Sequence, residues 1–387
     1  MINNRYTKTH RFLSAIRREI TGFPYRITSL FFSLFPIKAN KIIIDYPFHR
    51  ESSAVSKRLL SESKDYDIVF GTNKKKDDAS KIRYVKPKSL KYLYELATAG
   101  IWIDSIRKEI WVHKRAKQLY IQTWHAPVSM KKIELDAANT LPEFYLRMAI
   151  KDSKMADYLV AESKQHEHIM STSFWYNGPI IKGEFKDGLF DYVDKKEICK
   201  ELSIEDDIEH LVLYAPTFRI DKNTDCYNMD YDRLMLGLQK KYGGKWGIII
   251  RLHPIVSNKC EDIQYSERII NGTNYSNLAD LISISDILIT DYSSCMFYAY
   301  RLMKKVYIYA SDFYEYMNTD RGSYLEYDEL PGIVSKNTDE LLTKIEEFDD
   351  KKYLSEVKEF NNSLGYFGKD AMDEIVNIID KHISDIK

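Results

Sequence analysis

Cysteine is scarce in this 387-residue chain: there are four, Cys199, Cys226, Cys260 and Cys295, widely scattered and with no C-x-x-C pair. That spacing argues against a disulfide scaffold or a cysteine-rich zinc site, and it fits a reducing, cytosolic compartment. Glycine is sparse too, at 15 residues. None of the strand-to-helix turns carries G-x-G-x-x-G, which disfavours a dinucleotide-fingerprint dehydrogenase. No apolar run reaches the roughly 18 residues that a membrane span needs. The N-terminal stretch is expected not to be a signal peptide, because Arg and Lys interrupt it and no small-residue cleavage site follows. Net charge is missing as well: 57 Lys and Arg offset 57 Asp and Glu, so no global field attracts nucleic acid.

With 44% hydrophobic residues the chain can bury substantial cores, and its length suits two domains of ordinary size. Charge is distributed unevenly. Up to Lys41 there are eight basic residues against one acid, Glu19, so the remainder holds 49 basic and 56 acidic residues. Such sign asymmetry suggests an interaction surface. Within residues 1–38, Phe12, Leu13, Ile16 and Ile20 recur at helical spacing among Arg11, Arg17 and Arg18. After Gly22-Phe-Pro24 comes the apolar stretch Ile27–Phe35. Basic charge beside Phe and Leu is the composition of a helix lying on an anionic membrane. Residues 1–38 are therefore read as a basic amphipathic leader that contacts a membrane; the plainer alternative is packing on the protein's own surface.

From Lys41 onward, short apolar runs alternate with helical periodicity. Strands are expected at Ile42–Ile44, Asp67–Phe70, Ile82–Val85, Gly100–Ile103, Leu119–Gln122 and Asp157–Ala161, and helices at Ser52–Leu60, Leu90–Ala97 and Pro142–Lys154. A charged stretch around Asp191–Lys200 marks a boundary. The second series places strands at Leu211–Tyr214, Trp246–Leu252, Ile287–Ile289 and Val306–Tyr309. Its helices are Tyr231–Tyr242, one following the Ile287–Ile289 strand, Thr338–Phe348, Leu354–Phe360 and Ala371–Ile386. Buried strands alternating with helices predict parallel sheets covered on both faces. The expected architecture is α/β: two doubly wound Rossmann-like domains, 39–190 and 191–387, facing across a cleft, the last helices crossing back.

In such sheets ligands sit beyond the carboxyl ends of the strands, and four polar clusters fall there. They are Thr123-Trp124-His125-Ala126-Pro127, Ala215-Pro216-Thr217-Phe218-Arg219, Arg251-Leu252-His253-Pro254 and Thr290-Asp291-Tyr292-Ser293-Ser294. The last lies between a buried strand and an apolar helix. Hydroxyls and unpaired N–H groups at that point can hold a phosphate, since a helix N-terminus carries roughly half a positive charge. A plain N-cap uses the same residue types and needs no ligand. Together the clusters supply Arg for oxygen recognition, His for proton transfer near neutral pH, and hydroxyl donors, an inventory suited to phosphate chemistry.

The same residues carry a resemblance. Gln122-Thr-Trp-His-Ala-Pro with Lys131-Lys132 is similar to the Q-T-W-H-G-T-P-x-K-K segment of the CDP-glycerol glycerophosphotransferase family, the teichoic-acid primases and polymerases of Gram-positive bacteria. Tyr214–Arg219, Arg251–Pro254, Thr290–Ser294, and Asp320-Arg-Gly-Ser-Tyr324 with Glu329-Leu-Pro-Gly332, resemble its further motifs in the same order. The resemblance runs from about Lys41 to the C-terminus. It implies a GT-B fold and transfer of glycerol phosphate from CDP-glycerol to a hydroxyl, releasing CMP; CDP-ribitol is the alternative donor. The implied acceptor is a polyprenyl-diphosphate-linked saccharide or a growing polyol-phosphate chain. The enzyme would then sit peripherally on the cytoplasmic face of the cell membrane. Carried onto matching positions, His125 would be the base that takes the acceptor proton, and His253 would bind or protonate the donor diphosphate. Arg219, Arg251, Ser293, Ser294 and Arg321 would hold phosphates or the nucleotide, with Thr123, Lys132, Thr290 and Asp291 as further substrate contacts. No metal ligands and no certain cofactor are implied, with Mg²⁺ left as an optional participant. A sugar-nucleotide glycosyltransferase would share the fold without needing this ordered His-Arg-Ser set.

Two departures from the family pattern stand out. The family's Gly after His is Ala126 and its Thr-Pro is Pro127-Val128, while its G-x-P-R-N-D turn is here Gly183-Glu-Phe-Lys-Asp187. Other signals are set aside. Asp230-Tyr-Asp232 sits at a helix start, where acids cap. His166-Glu-His168 has the wrong spacing for two ligands on one helix face. Lys74–Lys76 reads as a solvated loop, and the 29 tyrosines have no assigned mechanism.

Overall fold

The computed structural model describes residues 8–45, 50–73, 82–125, 128–186, 193–217, 219, 224–253, 256, 263–314, 316 and 322–386. Lys74–Lys76, Ala126-Pro127, Asp187 and Arg321 lie outside them, as do the side chains of Arg11, Phe12, Leu13 and Arg18. The chain divides into two units. Met1–Pro127, Lys132–Gly188 and Gly365–Lys387 form the first, and Val128–Lys131 with Leu189–Leu364 the second.

The first unit runs α1 (Lys8–Phe32), β1 (Lys38–Asp45), α2 (Arg50–Ser61), β2 (Asp67–Gly71), β3 (Arg83–Val85), α3 (Leu90–Thr98), β4 (Ala99–Asp104), β5 (Leu119–Gln122), α4 (Glu143–Met155), β6 (Tyr158–Ala161), α5 (Lys164–Ser173) and β7 (Ile180–Lys182). Its strands form one parallel sheet, in the order β3-β2-β1-β4-β5-β6-β7. Successive strand residues point to opposite faces. Ile42, Ile44, Ile101 and Ile103 pack beneath α2 and the helix Met372–Ile386, against Ala54, Leu59, Ile375 and Ile379. Ile43 and Trp102 pack on the other side, against Tyr92, Leu93 and Leu96 of α3 and Trp111. The unbroken Ile42–Ile44 run is what a strand buried on both faces requires.

The leader is one helix running through Pro24. Gly22 and Ser29 are buried on its inner side. There Tyr25 meets Trp111 at 5.3 Å and Phe32 meets Tyr94 at 5.5 Å, and packing along α3 and α4 offsets the roughly 3 kcal/mol cost of an internal proline. The outer stripe is apolar: Ile20 is 66% exposed, Phe23 60%, Ile27 52%, Phe31 55% and Leu34 81%.

The second unit contains α6 (Lys195–Glu201), β8 (His210–Tyr214), α7 (Tyr231–Tyr242), β9 (Trp246–Ile250), β10 (Ile269–Asn271), α8 (Leu278–Ile284), β11 (Ile287–Thr290), α9 (Cys295–Arg301), β12 (Lys305–Tyr309), β13 (Ile333–Ser335) and the helices Thr338–Glu347 and Asp350–Leu364. Its sheet is also parallel, ordered β10-β9-β8-β11-β12-β13. Strand order reverses between β1 and β4 in the first unit and between β8 and β11 in the second. These reversals open the crevices where doubly wound sheets take ligands. Asp230 caps α7, accepting from Arg233 N–H at 3.0 Å, and Gly243 ends that helix at φ 75°.

Because Ile379 is fully buried under the first sheet, Ile379→Ala is expected to lower the unfolding free energy by about 2–5 kcal/mol. The exposed Glu374→Ala on the same helix should change it by less than about 0.5 kcal/mol. Urea midpoints of the two variants check this.

Candidate functional site

In the first unit the rim beyond β5 is built by backbone ties. Thr123 N–H donates to Asp104 O at 2.8 Å, and the Gln122 amide oxygen accepts Trp124 N–H at 2.8 Å. This turns the chain sharply, leaving Trp124 at φ 58°, a region that costs a non-glycine residue on the order of 1 kcal/mol or more. The turn is held from below. Arg107, itself buried, pairs with Asp152 at 3.0 Å and Glu134 at 3.1 Å. Its guanidinium lies 5.3 Å from the Trp124 ring and 4.6 Å from Phe174. Trp124 in turn backs the His125 ring at 4.6 Å. His125 is exposed, and its Nδ1 lies 2.7 Å from Ser105 O. A carbonyl only accepts, so Nδ1 carries the proton and Nε2 presents the lone pair.

Beside this rim lies a second charged group. Arg50 donates to Glu51 at 2.9 Å, to Phe185 O at 3.0 Å and to Glu162. Glu162 also accepts Phe185 N–H at 3.1 Å. Burial pushes the Glu162 carboxyl up to about 7, against the pull of Arg50.

In the second unit the polar loops flank the reversal between β8 and β11. Asp291 is fully buried and accepts from Thr217 N–H at 2.7 Å and from Arg219 at 2.8 Å. Arg219 also donates to Asp312 at 2.9 Å and to Thr217 O, with Tyr292 and Tyr316 stacked beneath it, 3.5 Å between their centroids. Arg251 differs. It donates to the carbonyls of Tyr275 at 2.7 Å and Gly272 at 3.4 Å, and among the described residues it has no carboxylate partner. Burial lowers its pKa. His253 is lowered as well, first by burial and then by the charge of Arg251. Arg251 also interacts electrostatically with Cys295, the first residue of α9. There the Ser293 hydroxyl accepts Cys295 N–H at 3.3 Å, whereas Ser294 makes no side-chain cap.

The sequence candidates therefore separate by burial and by partner. Thr123 donates to Asp104 O, Thr290 to Ala215 O, and Asp291 holds Thr217 and Arg219; all three are buried, so they fix loops. Arg219, expected to grip phosphate or nucleotide, spends its guanidinium on two carboxylates and ties three strand ends together. Arg251, His253, Ser293 and Ser294 are left at the crevice of the second unit, and His125 at the rim of the first, with Lys132 exposed. Sequence reasoning missed Arg107, Ser105 and Asp312, which position these groups. No local signal marks them: Asp312 lies 93 residues from Arg219.

The family described as CDP-Glycerol:Poly(glycerophosphate) glycerophosphotransferase matches residues 29–380. The teichoic acid poly(glycerol phosphate) polymerase of Bacillus subtilis is 26% identical over 369 residues, 88% of this chain and 48% of its own length. The chain thus spans about half the length of that relative. The Bacillus spizizenii polymerase of the same description is 27% identical over 385 residues, 92% of this chain and 96% of its own. Among solved structures, that of the wall teichoic acid polymerase TagF superposes with a TM-score of 0.79 at 23% identity, covering 98% of this chain and 99% of that one. At that identity the likeness speaks for the fold, which is of the GT-B type.

Replacing Arg251 with Gln removes the cation that disfavours protonated His253, so the His253 pKa is expected to rise toward the ordinary 6.5. An NMR titration of the imidazole reads this directly. A midpoint that stays put or falls would show that the charge of Arg251 does not reach the ring.

Proposed function

The chain belongs to the CDP-glycerol:poly(glycerophosphate) glycerophosphotransferase family, and on that premise we propose that it transfers glycerol phosphate from CDP-glycerol to an acceptor hydroxyl, releasing CMP, in the synthesis of teichoic acid or a related cell-wall polymer. The acceptor in this reading is a polyprenyl-diphosphate-linked saccharide or a growing polyol-phosphate chain. The observation that carries it is His125: a surface imidazole at a strand end with Nδ1 held by the Ser105 carbonyl, which leaves Nε2 to act as base.

In the reaction the acceptor hydroxyl gives its proton to His125 Nε2 while its oxygen attacks the phosphorus that bears glycerol. The bond from that phosphorus to the bridging oxygen breaks, and CMP leaves with the bonding pair. Charge builds on the oxygens of the transferred phosphoryl group and on the leaving phosphate, so positioned cations and donors dominate such catalysis. Arg251 is suited to that task because no carboxylate among the described residues neutralises it. His253, kept neutral by burial and by Arg251, serves as a hydrogen-bond donor to the diphosphate. Ser294 and Ser293 add hydroxyls beside it. Thr123, Thr290, Asp291 and Arg219 act one step back, by holding the loops that carry these groups.

The outer stripe of α1 supports peripheral attachment to a membrane. Ile20, Phe23, Ile27, Phe31 and Leu34 are exposed together, with Arg17 and Arg26 also exposed. No helix among the described residues is long and apolar enough to cross a membrane. An apolar stripe flanked by basic residues suits the interface of an anionic bilayer. A lipid-linked acceptor would be presented there.

CMP release from CDP-glycerol, with CDP-ribitol in parallel and a synthetic lipid-linked disaccharide as acceptor, tests the reaction. Acceptor-dependent release is expected with one CDP-polyol. It should fall about 10²–10⁴-fold in His125→Asn with no change in melting temperature. Silence with both donors from folded protein would sink the assignment. Separately, flotation with phosphatidylglycerol vesicles should recover the wild type. Ile20→Ser/Phe23→Ser/Ile27→Ser should stay behind, and equal recovery of the two would remove α1 as the attachment face.

A further inference from the structure

Two adjacent side chains at the start of α5 leave their hydrogen-bonding capacity unspent. His166 is 1% exposed, and neither Nδ1 nor Nε2 has a partner among the described residues. Both polar atoms of the Gln165 amide are likewise buried and, among the described residues, unpartnered. Native structures leave few groups in this state, because water is lost and nothing replaces it. The cap of α5 does not require them, since the Ser163 hydroxyl accepts His166 N–H at 3.1 Å. They are not remote from the chemistry either: Glu51, His125 and Arg50 all lie within electrostatic reach of the His166 ring. Desolvation lowers the His166 pKa to about 4, with Glu51 opposing and His125 and Arg50 adding to the shift, so the ring is neutral at pH 7.

The surroundings select the ligand class. Arg50 donates to Glu51, Glu162 and the Phe185 carbonyl, so its guanidinium is already engaged by two carboxyl groups. A fully ionised phosphate, which only accepts, would leave the lone pair of the ring and the carbonyl of the carboxamide unmatched. A hydroxyl both donates and accepts. It matches a neutral imidazole, with one donor and one acceptor, and an amide, with two donors and a carbonyl. We propose that Gln165 and His166 form a subsite for the neutral, hydroxyl-bearing polyol or sugar end of the acceptor, next to the hydroxyl deprotonated by His125. They are positioning residues. The inference rests on the proposed role of His125, and it explains why polar side chains are kept where apolar ones would pack.

The test uses the full chain, the variants Gln165→Met and His166→Leu, and a soluble short-chain disaccharide analogue primed with one glycerol phosphate. Because each variant removes an orphaned polar group, its melting temperature should equal or exceed that of the wild type. Affinity for the analogue, followed by saturation-transfer NMR, should drop about tenfold or more in each. The acceptor KM should rise while CDP-glycerol affinity holds. Glycerol should compete for the analogue, and inorganic phosphate should not. Unchanged analogue affinity in both variants would overturn the subsite, as would competition by phosphate alone. A fall in melting temperature without selective loss of acceptor would instead make the pair structural. Wild type that binds the analogue yet releases no CMP from either CDP-polyol would defeat the reaction assigned above and leave the subsite standing.

Discussion

Arg107 is a cation almost without solvent, its side chain 2% exposed between Glu134 and Asp152, both at 0%. Desolvation of such a group is expensive, and removing one partner from a buried pair typically costs about 3–5 kcal/mol. What this arrangement secures is geometry. Asp152 also accepts Lys108 N–H and the Tyr120 hydroxyl, so one carboxylate joins β5, α4 and the loop after β4. The aromatic face that Arg107 supports is that of Trp124, the residue with the strained backbone, and on it rests His125. The second unit repeats the principle with Arg219 between Asp291 and Asp312 above a pair of stacked tyrosines. In each unit a buried guanidinium converts loops at strand ends into fixed supports. The groups they carry, exposed His125 in one unit and half-buried Arg251 with His253 in the other, then need no flexibility of their own to be correctly aimed.

Much of this was legible beforehand, and the exceptions have physical causes. Leu119–Gln122 and Tyr231–Tyr242 form as expected, the first as an apolar run closed by polar turn residues, the second as a helix with an acid at its start and paired glycines after it. Strands β7, β10 and β13 were missed: each has three residues, too few to show a period, although the equally short β3 was expected within Ile82–Val85. Helix α5 was missed because its polar residues mask its buried face. His166 was set aside for spacing unsuited to metal, a sound objection to a metal and no objection to a neutral ring. That the leader continues through Pro24 as one helix depends on Trp111 and Tyr94, 87 and 70 residues away, which no local pattern announces. Arg219 read as a ligand group because its carboxylate partners are distant in sequence.

The tyrosines, unexplained by composition, find a use in the same logic of fixed loops. Tyr176 donates to the Asp157 carbonyl at 2.8 Å and Tyr353 to that of Lys304 at 2.8 Å, while Tyr214 and Tyr300 reach the carbonyls of Cys226 and Pro331. Each ring fills core volume and its hydroxyl satisfies a backbone acceptor that a phenylalanine would leave alone. Burial raises the pKa of Tyr214 and Tyr300 well above the ordinary value, so these ties persist as neutral donors across the physiological range. A chain with 15 glycines has few permissive turns, and it anchors irregular backbone with phenols instead.

The helix Met372–Ile386 has a bearing on how the molecule comes into being. Its Met372, Ile375, Ile379 and Ile383 belong to the core beneath β1 and β4, strands made more than 250 residues earlier in synthesis. A nascent chain emerging from the ribosome would therefore carry the first sheet with one face covered only in part, by α2, while Leu189–Leu364 is still being made. The second unit has all but Val128–Lys131 in one continuous stretch, and even those residues emerge before it, so it can close first. The order of completion is thus the reverse of the order of translation. During that interval the isoleucine-rich underside of the first sheet is the surface most in need of protection by chaperones.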